Sequence, residues 1–229
     1  RELVAEFSAE RFAREVRLAA SLQQANIVPL LAAGTAGEFS YYTMPLIDGS
    51  SLRSRIATGE PISIAAATSI LRDVARALAY AHGAGVVHRD IKPDNVLLSG
   101  GTAVVSDFGI AKALRASRTS GVGATLTSVG TSIGTPAYMA PEQVAGDPDV
   151  DHRADLYSLG CLAHELITGK TPFSDRTAQR MLAAHLSEAP PSIESARGDC
   201  QPALARLVTQ LLAKHPADRP RDADEELRA

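Results

Sequence analysis

The most informative stretch of the sequence is HRDIKPDNVLL, residues 88–98, which ends in a short apolar run. Two of its polar residues, Asp90 and Asn95, lie five positions apart, and another aspartate, Asp107, follows a second short apolar run. Carboxylate and amide oxygens are hard ligands that suit Mg²⁺, and a carboxylate also serves as a general base. Each residue alone would be an ordinary loop or turn residue, so their order and spacing carry the functional signal.

Three motifs occur in order along the chain: HRD with an Asn five positions after its Asp, DFG at 107–109, and APE at 140–142. Together they resemble the catalytic core of the protein kinases. The segments RDIKPDN at 89–95 and GTPAYMAPEQ at 134–143 are most similar to the bacterial-type (Hanks-type) serine/threonine kinases. Long ordered motifs rarely arise by chance, and this resemblance covers nearly the whole chain.

The resemblance implies phosphoryl transfer from ATP to a protein hydroxyl. Asp90 is expected to accept the proton of the substrate hydroxyl, while Asn95 and Asp107 hold Mg²⁺, or Mn²⁺, on the phosphates. Lys92 is expected to face the transferred phosphate, as in kinases that act on serine and threonine. Thr135, just before the APE motif, is expected near the base and supports the same substrates, the Ser and Thr hydroxyls of proteins.

Residues 42–49, YTMPLIDG, resemble the strand and hinge that join the two lobes of a kinase. Met44 would then be the gatekeeper residue beside the adenine of ATP. The Pro45 carbonyl and the Ile47 amide are expected to pair with the adenine edge, and Leu97 to form the floor under the ring. Apolar strand residues are usually core residues, so these assignments depend on the resemblance.

A further set of residues is expected to support the site. Asp155 matches the carboxylate that braces the backbone of the catalytic loop, and Arg219 matches the arginine that pairs with Glu142 of the APE motif. Other residues expected to support the site are His88, Phe108 and Gly109. The remaining five histidines show no metal-ligand spacing, and no role is assigned to them.

Residues 117–132 contain eight Ser or Thr and three Gly, a composition that predicts a mobile loop. Arg89 beside Asp90 is typical of kinases in which a phosphorylated loop binds that guanidinium through charge-assisted hydrogen bonds. We therefore expect autophosphorylation of this loop, with a dimer as one arrangement for transfer between two copies. The sequence does not choose among the candidate phosphosites, which are Thr125, Thr127, Ser128, Thr131 and Ser132.

The predicted fold is α+β and bilobal, like a protein kinase. Residues 1–47 are expected to form a partial N-lobe with one helix, two strands and the hinge, and residues 48–229 a mostly helical C-lobe. The two strands are expected at Ile27–Ala33 and Phe39–Ile47, as an antiparallel pair joined by a turn. Helices are predicted at 9–22, 62–81, 153–168, 175–187 and 202–213.

Two features of complete kinases are missing from the sequence. A glycine-rich hairpin normally covers the phosphates, and a strand lysine pairs with them and with a helix glutamate, which Glu15 matches here. The first glycine is Gly34 and the first lysine is Lys92, so neither feature precedes the first predicted helix. Either the chain is a fragment of a kinase whose first three strands lie upstream, and transfers phosphate poorly alone, or it is a truncated, pseudokinase-like binding module.

The composition is that of a folded chain: 229 residues, 45% hydrophobic, 21% charged and a net charge of -3. No excess of positive charge is available to bind nucleic acid, and no apolar run approaches the roughly 20 residues that a membrane helix needs. Cys161 and Cys200 lack the spacing of a disulfide framework or a zinc site. These observations favour a cytoplasmic domain, with any membrane anchor beyond Ala229 left open.

Overall fold

The computed structural model describes residues 16–36, 39–108 and 136–223, with the backbone alone for Thr35, Phe39 and Ser40. Its architecture is α+β, as predicted, with a small sheet in the N-lobe and a mostly helical C-lobe. Residues 16–20 are helical and lie within the first predicted helix.

The N-lobe sheet has two antiparallel strands, β1 (Ala32–Ala36) and β2 (Phe39–Thr43). The pairing was predicted correctly, but the start of the first strand was wrong, and Gly34 lies inside β1 rather than in the turn. Ile27 instead forms a parallel bridge with Val105 of the C-lobe, and the Val28 amide donates to the Val105 carbonyl at 2.9 Å. An apolar run cannot distinguish a local pairing partner from a distant one, which explains the error.

A second sheet lies in the C-lobe, with strand order β3 (Ser50–Ser51), β4 (Val96–Ser99) and β5 (Thr102–Val105), all antiparallel. Gly100 and Gly101 connect β4 and β5 with φ angles of 55° and 83°, the conformation that a two-residue hairpin turn requires. Val96 pairs with Val105 in this register. The residues just outside the hairpin, Asn95 and Ser106, are therefore brought side by side.

The described helices follow the predicted ones to within a few residues at 62–81, 153–168, 175–187 and 202–213. Ser and Thr side chains cap several of them by accepting from a backbone amide three residues on, as at Ser63 and Thr177. Besides the helical residues 16–20, the described α-helices are α1 (Leu52–Ala57), α2 (Ile64–Gly83), α3 (Pro141–Val144), α4 (Arg153–Thr168), α5 (Ala178–Ser187), α6 (Ile193–Ala196) and α7 (Pro202–Leu211). Short 3-10 helices occur at Pro93–Asn95, Pro136–Tyr138 and Pro216–Asp218.

Within the described ranges, no helix combines the length and the apolar character needed to cross a membrane.

Helix α4 forms the centre of the C-lobe, since every residue from 154 to 167 is buried. Its sequence is apolar on nearly all sides, as expected for a helix surrounded by protein. Gly160 allows close approach of the end of α7: a β-carbon at this position would lie 2.8 Å from Leu211 Cβ and 3.1 Å from Leu212 Cγ. The core of the C-lobe is thus packed to contact distance around α4.

We expect the substitution Gly160→Ala to lower the free energy of unfolding by about 1–3 kcal/mol, because the added methyl group overpacks this contact. Denaturant unfolding followed by circular dichroism measures the change. Gly83→Ala is the matched control: nothing lies within 4 Å of a β-carbon there. The control is expected to change stability by no more than about 1 kcal/mol, and equal midpoints for wild type and Gly160→Ala would contradict the packing described above.

Candidate active site

A buried carboxylate holds the start of the catalytic loop, residues 88–95. Asp155, in the first turn of α4, is fully buried and accepts hydrogen bonds from the backbone amides of His88 at 2.8 Å and Arg89 at 2.6 Å. His82, from the end of α2, places its Nε2 2.8 Å from the same carboxylate. Burial alone would raise the pKa of Asp155, but the hydrogen bond and charge of His82, with the contacts of His88 and Arg89, hold that pKa below its ordinary value.

The Arg89 backbone has a φ angle of 69°, a conformation that is costly for a residue with a side chain. Two contacts maintain it: the amide donates to Asp155, and the carbonyl accepts from Gln143 Nε2 at 3.0 Å. The guanidinium donates to the Val150 carbonyl at 3.2 Å. Arg89 is thus tied to both α3 and α4 through the residues around it.

Asp90, Lys92 and Asn95 are brought together within the loop. Lys92 Nζ lies 2.7 Å from Asp90 Oδ2. Asn95 Nδ2 donates to the Asp90 carbonyl at 2.8 Å and approaches its Oδ2 at 3.3 Å. The Asp90 carboxylate is a quarter exposed, so it is held in place and still open to solvent.

Asp107 reaches the same cleft through the β4–β5 hairpin. The Ser106 amide donates to the Asn95 carbonyl at 2.9 Å, and Ser106 Oγ donates to Asp107 Oδ2 at 3.2 Å. Asp107 has a φ angle of 65°. The hairpin register therefore brings Asn95 and Asp107, which are twelve positions apart, to neighbouring places.

His88 links the loop to the hairpin from below. Its Nε2 donates to the Ser106 carbonyl at 2.8 Å, and its Nδ1 accepts from the Asp90 amide at 3.3 Å. The ring packs edge-on against Phe108, with 4.6 Å between ring centroids. His88 and Phe108 thus pack against each other beneath the loop.

Asn95 and Asp107 have the chemistry of magnesium ligands. The amide nitrogen of Asn95 faces Asp90, and its carbonyl oxygen accepts no hydrogen bond from the described residues. Among residues 16–36, 39–108 and 136–223, no three His, Cys, Asp or Glu side chains are grouped to hold a metal ion. Mg²⁺ in phosphoryl-transfer sites needs only one or two protein oxygens beside phosphate and water, so the pair fits that mode of binding.

Of the residues expected to contact adenine, Met44 lines a small cavity together with Asp107 and Phe108, whereas Pro45, Ile47 and Leu97 do not line it. These three side chains are half-buried.

Glu142 and Arg219 form a buried ion pair with two parallel hydrogen bonds, Nη1 to Oε1 at 2.6 Å and Nη2 to Oε2 at 2.8 Å. Arg219 has a fully buried side chain and also donates to the carbonyls of Ala213, Arg153 and Lys214. The pair therefore connects the APE motif to the end of the C-lobe.

Several predicted site residues lie outside the described ranges: Glu15, Gly109, Thr135, Thr125, Thr127, Ser128, Thr131 and Ser132.

Sequence reasoning missed two polar contacts of the site. Tyr42 on β2 donates its hydroxyl to Asp107 Oδ1 at 2.6 Å, and burial, with the adjoining Asp107 carboxylate, raises the pKa of the phenol. His82, to which no role was assigned, binds Asp155. The pairs lie 65 and 73 positions apart, and no local pattern marks either of them.

A third missed cluster surrounds Arg53 of α1. Its guanidinium lies 2.9 Å from Glu165 Oε1, donates to the Tyr138 hydroxyl at 2.6 Å and approaches Asp94 Oδ2 at 3.3 Å. The Tyr138 hydroxyl also donates to Glu165. This cluster connects α1, α4, the catalytic loop and the segment just before the APE motif.

The substitution Asp155→Asn should lower the free energy of unfolding at neutral pH by roughly 3 kcal/mol, because it leaves buried donors without a charged acceptor. Since the pKa of Asp155 is lowered in the folded state, its contribution is present above the unfolded pKa and is lost as the pH falls below about 4. Denaturant unfolding at pH 7 and at pH 3 measures both effects.

Asp175→Asn is the control for this measurement, since Asp175 is 82% exposed and forms a surface ion pair with Lys170. It is expected to cost no more than about 0.5 kcal/mol. A stability gap between wild type and Asp155→Asn that stays constant from pH 7 to pH 3 would contradict the assigned interaction.

Comparisons with known proteins agree with this geometry. A family model described as "Protein kinase domain" matches residues 2–227. The serine/threonine-protein kinase PknD of Mycobacterium tuberculosis is 40% identical over 211 residues, which cover 91% of this chain and 31% of PknD. PknB of Mycolicibacterium smegmatis is 38% identical over 220 residues, covering 94% of this chain and 34% of PknB. The chain thus spans about a third of the length of these two relatives.

The solved structures include a similar fold. The PknI kinase domain of Mycobacterium tuberculosis matches with a TM-score of 0.74 and 28% identity, over 100% of this chain and 80% of that domain. Because the family model spans almost every residue and the relatives are bacterial kinases, the chain belongs to the protein kinase family, in its bacterial Hanks-type serine/threonine branch.

Proposed function

We propose that this chain carries the catalytic machinery of a kinase that transfers the γ-phosphate of ATP to Ser or Thr hydroxyls of protein substrates. The observation that supports the proposal most directly is the convergence of Asp90, Asn95 and Asp107 on one cleft. Asn95 contacts Asp90, and Ser106 bridges Asn95 and Asp107. These are the three oxygen-bearing groups that phosphoryl transfer requires of the protein.

Asp90 is the proposed base. Its carboxylate is partly open to solvent, so a substrate hydroxyl could donate a hydrogen bond to it. The hydroxyl would give up its proton to Asp90 as its oxygen attacks the γ-phosphorus of ATP, and the bond from that phosphorus to the bridging oxygen would break to release ADP. Lys92, 2.7 Å from Asp90 Oδ2, orients the carboxylate and places a positive charge beside the incoming phosphate. The sequence position of Lys92, two residues after Asp90, and that of Thr135, just before the APE motif, support Ser and Thr as acceptors.

Asn95 and Asp107 are the proposed ligands of Mg²⁺, or of Mn²⁺ in its place. When bound, the cation neutralises the charge that spreads over the transferred phosphoryl group. Asp107 offers a carboxylate already oriented by hydrogen bonds, and Asn95 offers an amide oxygen that faces away from Asp90. The two residues thus hold hard oxygen donors at adjacent positions of the cleft.

The nucleotide is proposed to bind at the hinge. Met44 would contact adenine as the gatekeeper, the Pro45 carbonyl and Ile47 amide would pair with its edge, and Leu97 would lie beneath the ring. The boundary between the lobes is then at residues 47 and 48. The half-burial of Pro45, Ile47 and Leu97 is compatible with these roles.

We also propose that the kinase is cytoplasmic. In addition, we propose that it phosphorylates its own segment 117–132 and that Arg89 then binds the phosphate. The Arg89 backbone is held by hydrogen bonds with Gln143 of α3 and Asp155 of α4. A dimer would allow one copy to act on the other.

The binding-module alternative is supported by one sequence observation: no lysine precedes Lys92 and no glycine precedes Gly34. A chain that lacks the phosphate-clamping lysine loses transition-state electrostatics, an effect typically worth a few kcal/mol per group. The 229 residues alone are therefore proposed to transfer phosphate weakly. The enzyme and the binding module are distinguished by assaying the complete reading frame that encodes the chain.

In that assay, Asp90→Asn is expected to reduce the rate of phosphate transfer from radiolabelled ATP to a protein substrate by 100-fold to 10,000-fold, the usual contribution of a positioned base. The amide cannot accept the hydroxyl proton. ATP affinity should change little, because Asp90 acts on the acceptor side.

Asp149→Asn is the matched control. This substitution also changes a carboxylate to an amide, but at an exposed residue outside the cleft. It should leave the rate unchanged. Equal rates for wild type and Asp90→Asn would refute the role of the base, and no transfer by the complete wild-type protein would favour the binding module.

A further inference from the structure

The Tyr42 hydroxyl contacts a residue that the proposed chemistry uses. It donates to Asp107 Oδ1 at 2.6 Å, and its half-buried ring shares the small cavity of Met44 and Phe108. The contact crosses the cleft, since Tyr42 lies on β2 of the N-lobe sheet and Asp107 follows β5 of the C-lobe. The N-lobe sheet therefore touches the proposed metal ligand directly.

Among the described residues, each oxygen of the Asp107 carboxylate accepts one hydrogen bond, Oδ1 from the Tyr42 hydroxyl and Oδ2 from Ser106 Oγ at 3.2 Å. An ionised carboxylate has about four lone-pair sites, so each oxygen keeps one for a cation. The two hydroxyls thus orient the group without using up its capacity to bind.

The Asp107 backbone makes this support necessary. Its φ angle of 65° is a conformation that the surroundings must maintain in a residue other than glycine. The carboxylate also sits at the end of a strand, beyond the last residue that the hairpin pairs. In the part of the chain that the structure describes, the hydrogen bonds from Tyr42 and Ser106 set the direction of this carboxylate.

We propose that Tyr42 is a positioning residue for a divalent cation on Asp107, acting by fixing the orientation of the carboxylate. The inference rests on the proposed function, because it takes Asp107 as a metal ligand. Hydrogen-bond partners of metal-binding groups typically contribute tenfold to 100-fold in metal affinity. Removing the Tyr42 hydroxyl should therefore weaken cation binding by about tenfold.

The test uses Mn²⁺ as the probe, with free Mn²⁺ measured by electron paramagnetic resonance in the presence of ADP. The affinity of ADP without metal is measured separately by calorimetry. Tyr42→Phe is compared with Asp107→Asn and with Tyr41→Phe, the matched control, because Tyr41 lies on the same strand and packs over Gly34. Tyr42→Leu also lacks the hydroxyl and has a different apolar side chain. It is used in place of Tyr42→Phe if circular dichroism shows Tyr42→Phe to be unfolded.

The expected result is Mn²⁺ binding weakened about tenfold in Tyr42→Phe, abolished in Asp107→Asn and unchanged in Tyr41→Phe, with metal-free ADP affinity unchanged in the two tyrosine variants. Equal Mn²⁺ affinity for wild type and Tyr42→Phe, with binding lost in Asp107→Asn, would overturn the inference and leave the proposed function intact. If Asp107→Asn still binds Mn²⁺ as wild type does, Asp107 is not a metal ligand, and the inference and the proposed metal site are both wrong. A parallel loss of metal-free ADP affinity in Tyr42→Phe would reveal a distorted cleft and also overturn the positioning role.

Discussion

The site depends on one buried charge. Asp155 lies within the most deeply buried helix of the C-lobe, where an ionised carboxylate is tolerated only if donors surround it. The donors are the first two amides of the catalytic loop and the His82 ring. Because the carboxylate must be satisfied, the loop is held in one conformation, including the positive φ angle of Arg89. The position of Asp90 follows from that conformation.

The second constraint is the β4–β5 hairpin, whose register places Asn95 opposite Ser106. His88 connects the two constraints: its amide binds Asp155, and its ring binds the Ser106 carbonyl. The proposed base, held by a helix, and the two proposed metal ligands, held by a hairpin, are thereby locked to each other. Such preorganisation on regular elements is what a site needs when positioning and electrostatics supply most of the catalysis.

The limits of sequence reasoning appear at particular residues. Helices with strong periodicity were located to within a few residues, and the motifs singled out Asp90, Asn95 and Asp107 as candidate site residues. Ile27 was placed in a local strand because its preference for extended backbone does not reveal its partner, Val105. His82 and Arg53 were not identified, because a histidine or an arginine on a helix has the same local pattern whether it meets solvent or a distant carboxylate. The carboxylates of Asp155 and Glu165 lie 73 and 112 positions away.

By itself, the sequence determined the chemistry: which side chains carry oxygen donors, the family to which their order belongs, and which segments must be helical or extended. Only the tertiary structure decided how that chemistry is supported, through Tyr42 on Asp107, His82 on Asp155, and Arg53 between Glu165 and Tyr138. The physical reason is range. Periodicity, caps and turns act within a few residues, whereas the hydrogen bonds that orient a buried carboxylate join parts of the chain that only folding brings together.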